Sequence, residues 1–313
     1  MTRIFVIGEC MIEIAQSDRE FCQFAYGGDC YNTALYLTRL GYRATFLTAL
    51  GTDPFSCQMR NQWMDEGLDT AHVLTEPHRL PGLYLIKTDT AGERDFFYWR
   101  EHAAVRSLFQ LDGIKEALTA AKSSDLLYLS GITLSLFTEH ERRIIVDLAR
   151  DVRKGGGHVA FDPNYRSKGW RDVKSARAAI DAIAPFVSIV LPTYDDERAL
   201  RGDAEPHDSA RWWQAHGASE VVVKIGAAGC LVVDDKETVI VAPSEQVIPV
   251  DTTGAGDSFN AGYLAGRLAG QSSRAAAAFA NLLAGKVVGY HGAIIPAEAM
   301  LTLPVQAQPN GKP

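Results

Sequence analysis

Short apolar runs, each closed by glycine, proline or a polar cluster, recur along the chain and predict strands. Arg3 to Ile7, Ala44 to Leu50, Leu126 to Ser130, His158 to Asp162, Val187 to Leu191, Val221 to Ile225 and Cys230 to Val233 carry this pattern. Stretches with helical spacing near 112–122, 138–153, 174–184 and 207–217 separate most of them, and Gly51 to Pro54 starts a further helix running to about Gly67. Strand and helix in alternation predict the α/β class, a mostly parallel central sheet with helices on both faces, in which ligands lie at the C-terminal strand ends.

A second group of strands lacks following helices. Met11 to Ile14 and Phe21 to Tyr26 are extended, and Leu83 to Asp89, a turn at 90–93 and Arg94 to Arg100 read as a hairpin. One face of the hairpin carries Phe96, Tyr98 and Arg100, the other Phe97 and Trp99. These segments predict a small β lid, from about 10–26 and 83–101, inserted into a single domain spanning 1–313.

Composition narrows the function classes. The 313 residues are 47% hydrophobic and 22% charged with a net charge of -7, so no basic field points to nucleic acid. No run approaches the roughly 20 apolar residues of a membrane span, and the first residues do not read as a signal peptide. A cytoplasmic protein is expected, without nucleic-acid or membrane partners. Cys10, Cys22, Cys30, Cys57 and Cys230 are odd in number and lack metal-ligand spacing, so they read as plain thiols, most of them in or near the core. Cys30 lies in a candidate substrate loop, where alkylation is expected to inhibit without the thiol being catalytic.

The densest chemistry stands at Asp251-Thr252-Thr253-Gly254-Ala255-Gly256-Asp257. A glycine turn entering an apolar helix leaves the amides of Gly254, Ala255, Gly256 and Asp257 free at a helix N-terminus, an anion site. Asp257 reads equally as an N-cap or as a base, since an acid beside a phosphate cradle repels the phosphate unless it takes a proton from the attacking hydroxyl. The run resembles the C-terminal signature of the ribokinase-like (PfkB) sugar kinases. That resemblance implies a ribokinase-like fold, ATP and Mg2+, Asp257 as catalytic base, and Gly254, Ala255 and Gly256 as the anion hole.

Other stretches gain meaning beside it. Gly27-Gly28-Asp29-Cys30-Tyr31-Asn32 is by itself a turn before a helix; the family's Gly-Gly-x-x-x-Asn element assigns Gly28, Asp29 and Asn32 to the sugar. Arg166, in a loop just past a strand, is placed to bridge phosphate and substrate, with Asn164 beside it on the nucleotide. Lys224-Ile225-Gly226-Ala227-Ala228-Gly229 is a hairpin turn on its own, and by resemblance puts Lys224, Gly226 and Gly229 near ATP. Asn281 faces either adenine or the neighbouring helix. The family's Asn-x-x-Glu is replaced by Thr193 and Asp196, which leaves Asp196 only a weak place in a magnesium shell. Gly262, Gly266 and Gly270 form a bare stripe for the following helix, Arg274 to Val288; Gly289 to Pro296 closes the site, and Gln306 to Pro313 reads as a disordered tail.

Gly8 to Glu13, Leu80 to Tyr84, Gly92 to Arg94, Tyr98 to Arg100, Tyr128 to Ile132 and Gly292 to Pro296 resemble, within that family, the bacterial 2-keto-3-deoxygluconate kinases. The resemblance implies phosphorylation of that acid at its 6-hydroxyl, and a dimer through the lid. A sugar acid needs a cation with planar donors, and Arg100 beside Tyr84 and Tyr98 provides one, unless it pairs with an acid in the lid. Fructokinase and 2-keto-3-deoxygalactonate kinase are the alternatives on the same frame. A dinucleotide-dependent oxidoreductase is disfavoured because Gly8-Glu9-Cys10-Met11 follows the first strand where Gly-x-Gly-x-x-Gly belongs. A silent sugar-binding regulator is disfavoured by the intact Asp257.

Overall fold

The fold is built on alternation in its first strand. The structure, a computed structural model, describes residues 2–16, 22–88 and 94–304. In β1 (Ile4–Ile7), Ile4 and Val6 enter one hydrophobic core while Phe5 and Ile7 enter another on the opposite face. A strand buried on both sides must lie inside a two-faced sheet.

The chain continues through β2 (Met11–Gln16), β3 (Cys22–Gly27), α1 (Asp29–Arg39), β4 (Ala44–Leu50), α2 (Pro54–Asp65), β5 (Val73–Thr75), β6 (Leu83–Thr88) and β7 (Arg94–Trp99). Then come α3 (Ile114–Lys122), β8 (Leu126–Ser130), α4 (Gly131–Leu136), α5 (Glu139–Lys154), β9 (His158–Asp162), α6 (Val173–Ile183), β10 (Ile189–Val190) and α7 (Tyr194–Arg201). The last elements are α8 (Pro206–Ala215), β11 (Glu220–Lys224), β12 (Cys230–Val233), β13 (Thr238–Val241), α9 (Ala255–Leu268) and α10 (Ser273–Val287).

The large sheet runs β13-β12-β11-β10-β9-β8-β1-β4-β5. Its pairs are parallel from β11 to β5, and β12 and β13 are antiparallel additions. Helices α1, α2, α9 and α10 cover one face and α3 to α8 supply the core of the other. A separate sheet, β3-β2-β6-β7, joins the two predicted extended segments to the hairpin. Its inner face holds Met11, Tyr84 and Ile86 with Phe96, while Phe24, Phe97 and Trp99 are exposed. Phe21 and the turn at 90–93 fall outside the described residues, as does the tail from 305.

Two parts of the glycine stripe meet α10: a Cβ on Gly262 would stand 3.1 Å from Ala280 Cα, and one on Gly266 would stand 2.8 Å from Ala276 Cβ. Gly270 does not; at φ 80 with nothing near its Cβ position, it follows the helix end in the left-handed region. Cys10, Cys30 and Cys230 are buried and Cys22 and Cys57 exposed, all five unpaired. No helix among the described residues is long and apolar enough to cross a membrane.

Candidate active site

At the C-terminal ends of β9 and β11, beneath the small sheet, lies a cavity of about 700 Å³. Gly28, Asp29, Asn32, Tyr84, Tyr98, Asn164, Arg166, Lys224, Gly254, Gly256 and Asp257 all line it, so residues from six separate stretches of sequence converge.

The helix that carries Asp257 begins without a side-chain cap. Gly254 adopts φ 75, and a Cβ there would lie 2.6 Å from Ala293 O, so both backbone and space demand glycine. The Ala255 amide turns back to Thr252 O at 3.3 Å, whereas the amides of Gly256 and Asp257 meet no acceptor among the described residues. Asp251 braces the loop, accepting from Thr253 N at 2.7 Å and from Gly292 N at 2.8 Å. The segment after α10 thus supports the anion loop from behind.

Asp257 stands in the first turn but caps nothing: its Oδ2 accepts from Asn32 Nδ2 at 2.7 Å. Enclosure in the protein, with the negative Asp29 nearby, pushes its carboxyl up to about 7, against the lowering pull of the Asn32 bond. Asn32 in turn is set by the glycine turn, because a Cβ on Gly28 would strike Glu9 O at 2.1 Å. Asp29, the first residue of α1, accepts from Cys30 N at 2.8 Å and from Asn164 Nδ2 at 2.9 Å. Asn164 holds φ 35, the positive-φ non-glycine position among the described residues, with its amide on Asp162 Oδ1 at 3.1 Å. Burial drives the Cys30 thiol well above its usual range, so it is a packing group rather than a reactive one.

Some candidate residues have local tasks instead. Arg100 forms an ion pair with the buried Glu9 at 2.6 Å and lies over the Tyr98 ring at 5.9 Å. It lines an adjoining cavity of about 790 Å³ that shares Gly28, Asp29, Tyr98 and Arg166 with the first. Tyr84 hydroxyl bonds Glu13. Arg166 Nη1 donates to both Asp196 oxygens, at 2.9 and 3.0 Å, and burial raises the Asp196 carboxyl against the pull of Arg166. Asn281 Nδ2 donates to Val241 O at 2.9 Å, facing β13 rather than the cavity. Gly226 and Gly229 form the turn between antiparallel β11 and β12, Gly229 packing where a Cβ would meet Val241 O at 2.1 Å. Glu9, Asp162, Thr193 and Asn260 were given no role by sequence reasoning. Asp162 offered one signal, an acid as the last residue of a strand.

The arrangement pairs free amides at a helix N-terminus with a carboxylate poised to take a proton, the requirement for moving a phosphoryl group to an alcohol. A sequence model described as pfkB family carbohydrate kinase matches residues 1–300. The chain belongs to that family. It is a sugar kinase on the ribokinase-like fold. Among curated relatives, it is 41% identical over 307 residues to the 2-dehydro-3-deoxygluconokinase of Escherichia coli strain K12, covering 95% of this chain and 98% of that one. The fructokinase of Vibrio alginolyticus is 24% identical over 265 residues, 85% of this chain and 84% of that protein. The solved structure of a putative ribokinase II from E. coli in complex with ATP and Mg2+ superposes with a TM-score of 0.84 at 24% identity, covering 97% of each chain.

Proposed function

We propose that this kinase transfers the γ-phosphoryl group of ATP to the 6-hydroxyl of 2-keto-3-deoxy-D-gluconate, giving the 6-phosphate and ADP. The observation that carries the reading is the Asp257 carboxylate, held by Asn32 under the uncapped turn of α9 in a cavity that continues to Arg100. Identity to the E. coli 2-dehydro-3-deoxygluconokinase over nearly the whole chain supports the substrate.

Asp257 accepts the hydroxyl proton as the new O–P bond forms and the bond to the β-phosphate oxygen breaks. The amides of Gly256 and Asp257, left open where that of Ala255 turns back to Thr252 O, and the Arg166 guanidinium stabilise charge on the transferring oxygens. Gly28, Asp29 and Asn32 hold the sugar hydroxyls, with Tyr84 and Tyr98 against its carbon face. Arg100 keeps Glu9 on one side and takes the substrate carboxylate on the other. Asn164 and Lys224 lie toward the phosphates, with the Gly226 to Gly229 turn toward the adenine, while Asn281, held on Val241 O, takes no part in nucleotide binding. Magnesium, which takes few protein ligands and keeps water and phosphate oxygens, would neutralise phosphate charge. Both Asp196 oxygens are on Arg166, so a water-mediated place beside the ion suits that carboxylate better than a direct bond.

The test is ADP release over a panel of 2-keto-3-deoxy acids and neutral ketoses. Preference for the acids is expected; preference for fructose contradicts the substrate assignment. Arg100→Lys keeps a charge for Glu9 but loses the planar fork, and should raise KM for the acid by roughly tenfold or more with KM for ATP unchanged.

A further inference from the structure

Behind the anion loop, β8, β9 and β11 end in a charged network whose acid, Asp162, has no part in the transfer described above. Lys224 Nζ lies 2.7 Å from Asp162 Oδ2 and 3.1 Å from Asn260 Oδ1. Asn260 Nδ2 donates to the same Asp162 oxygen at 2.7 Å and to Tyr128 hydroxyl at 3.0 Å. All four side chains are buried, yet Asp162 and Lys224 both reach the cavity wall. The ammonium sits directly behind the first turn of α9, 3.6 Å from where a Cβ on Gly256 would stand.

A buried ion pair is a poor device for stability, because desolvation of two charges commonly offsets their attraction and an apolar pair of like volume holds a fold as well. What it does provide is a fixed field on its neighbours, little damped by water. The neighbour here is Asp257. The charges acting on it are Asp29 from α1, Asp162 from β9 and Lys224 from β11, with Asn32 as its hydrogen-bond donor. Cys30 and Tyr36 from α1 and Tyr128 from β8 also face it, and burial raises all three so that they stay neutral at working pH.

We propose that Asp162 and Lys224 are positioning residues for phosphoryl transfer: their paired charges, held by Asn260 and Tyr128 behind the anion loop, set how readily Asp257 accepts the substrate proton. The proposal deepens, and rests on, the reading of Asp257 as the base. Lys224 draws Asp257 toward its ionised form, and Asp162 pushes the other way. Removing either charge therefore moves the proton affinity of Asp257 in opposite directions, which loss of packing does not do.

The experiment is the pH dependence of kcat/KM for the keto-deoxy acid at saturating ATP, in the full chain, for Lys224→Met, Asp162→Asn, the double variant and Asp257→Asn. The acidic limb should move up by roughly one pH unit in Lys224→Met and down by a similar amount in Asp162→Asn, with the double variant between them. Lys224→Gln replaces Lys224→Met if thermal unfolding finds the latter unfolded, with the same upward shift expected. Limbs that stay at the wild-type pH while rates fall overturn the proposal and leave Asp257 as base, provided Asp257→Asn is inactive. Near-normal turnover in Asp257→Asn overturns the base reading, and this proposal with it.

Discussion

In the proposed mechanism Asp257 has two demands to meet, to stand close enough to phosphate for in-line transfer and to be basic enough to take a proton. Its carboxyl, raised to about 7, is ionised above that pH and protonated below it. Activity should therefore fall on the acid side, with a limb of kcat/KM near pH 7 in the wild type, read from a pH–rate profile. A limb below pH 5 would mean that enclosure does not act on this group as argued. Gly254 gives a second residue-scale prediction. Gly254→Ala forces φ 75 on a residue with a Cβ and drives it against Ala293 O, so both melting temperature and kcat should drop, whereas Gly256→Ala meets only Lys224 Nζ at 3.6 Å and should keep its fold. Asp257, Gly254 and Asn32 were legible in the sequence because each belongs to a short run whose spacing carries the chemistry. The Asp162, Lys224 and Asn260 cluster was not, since its members lie 62 and 36 positions apart and meet only when strand ends line up.

Most long elements followed from the alternation of apolar and polar positions, and those that did not have identifiable causes. The strand β5 has three residues and β13 has four with exposed positions, too little for a period to register. In α7 the run is dominated by charge, and only Glu197 and Leu200 are buried. Glu197 is the odd member: a carboxylate with no solvent exposure, Arg201 Nε 3.5 Å away and the Trp213 indole beside it. Burial pushes its carboxyl up to about 8, from an ordinary value of 4.5. The fold thus favours the neutral acid, so the stability it lends is complete below pH 4.5 and is lost as pH rises through about 8. Glu197→Gln should flatten the fall in unfolding free energy between those limits, measured by denaturant titration; an unchanged slope would place the pH dependence elsewhere.

At the scale of the molecule, a broad α/β sheet presents its strand ends to a small sheet that roofs the cavity. The inner face of that roof is committed to Tyr84, Phe96 and Tyr98. Its outer face is not: cross-strand register sets Phe24, Ile14, Leu85 and Phe97 in one row, with Phe24 and Phe97 exposed and Trp99 nearby. A second copy meeting this row is the proposed dimer. Trp99→Glu should shift the protein to monomer in sedimentation without unfolding it, and an unchanged mass would move the contact elsewhere. Sequence pattern revealed that the roof exists, because its strands lack helices; it left open whether Arg100 pairs with an acid, and the pair with Glu9 depends on how roof and sheet meet. The central claim remains the proton transfer under the anion loop, and its most direct test is keto-acid-dependent ADP formation by Asp257→Asn. The account predicts a fall in kcat of about 10²–10⁴-fold with ATP still bound, and turnover within a few-fold of wild type would contradict it.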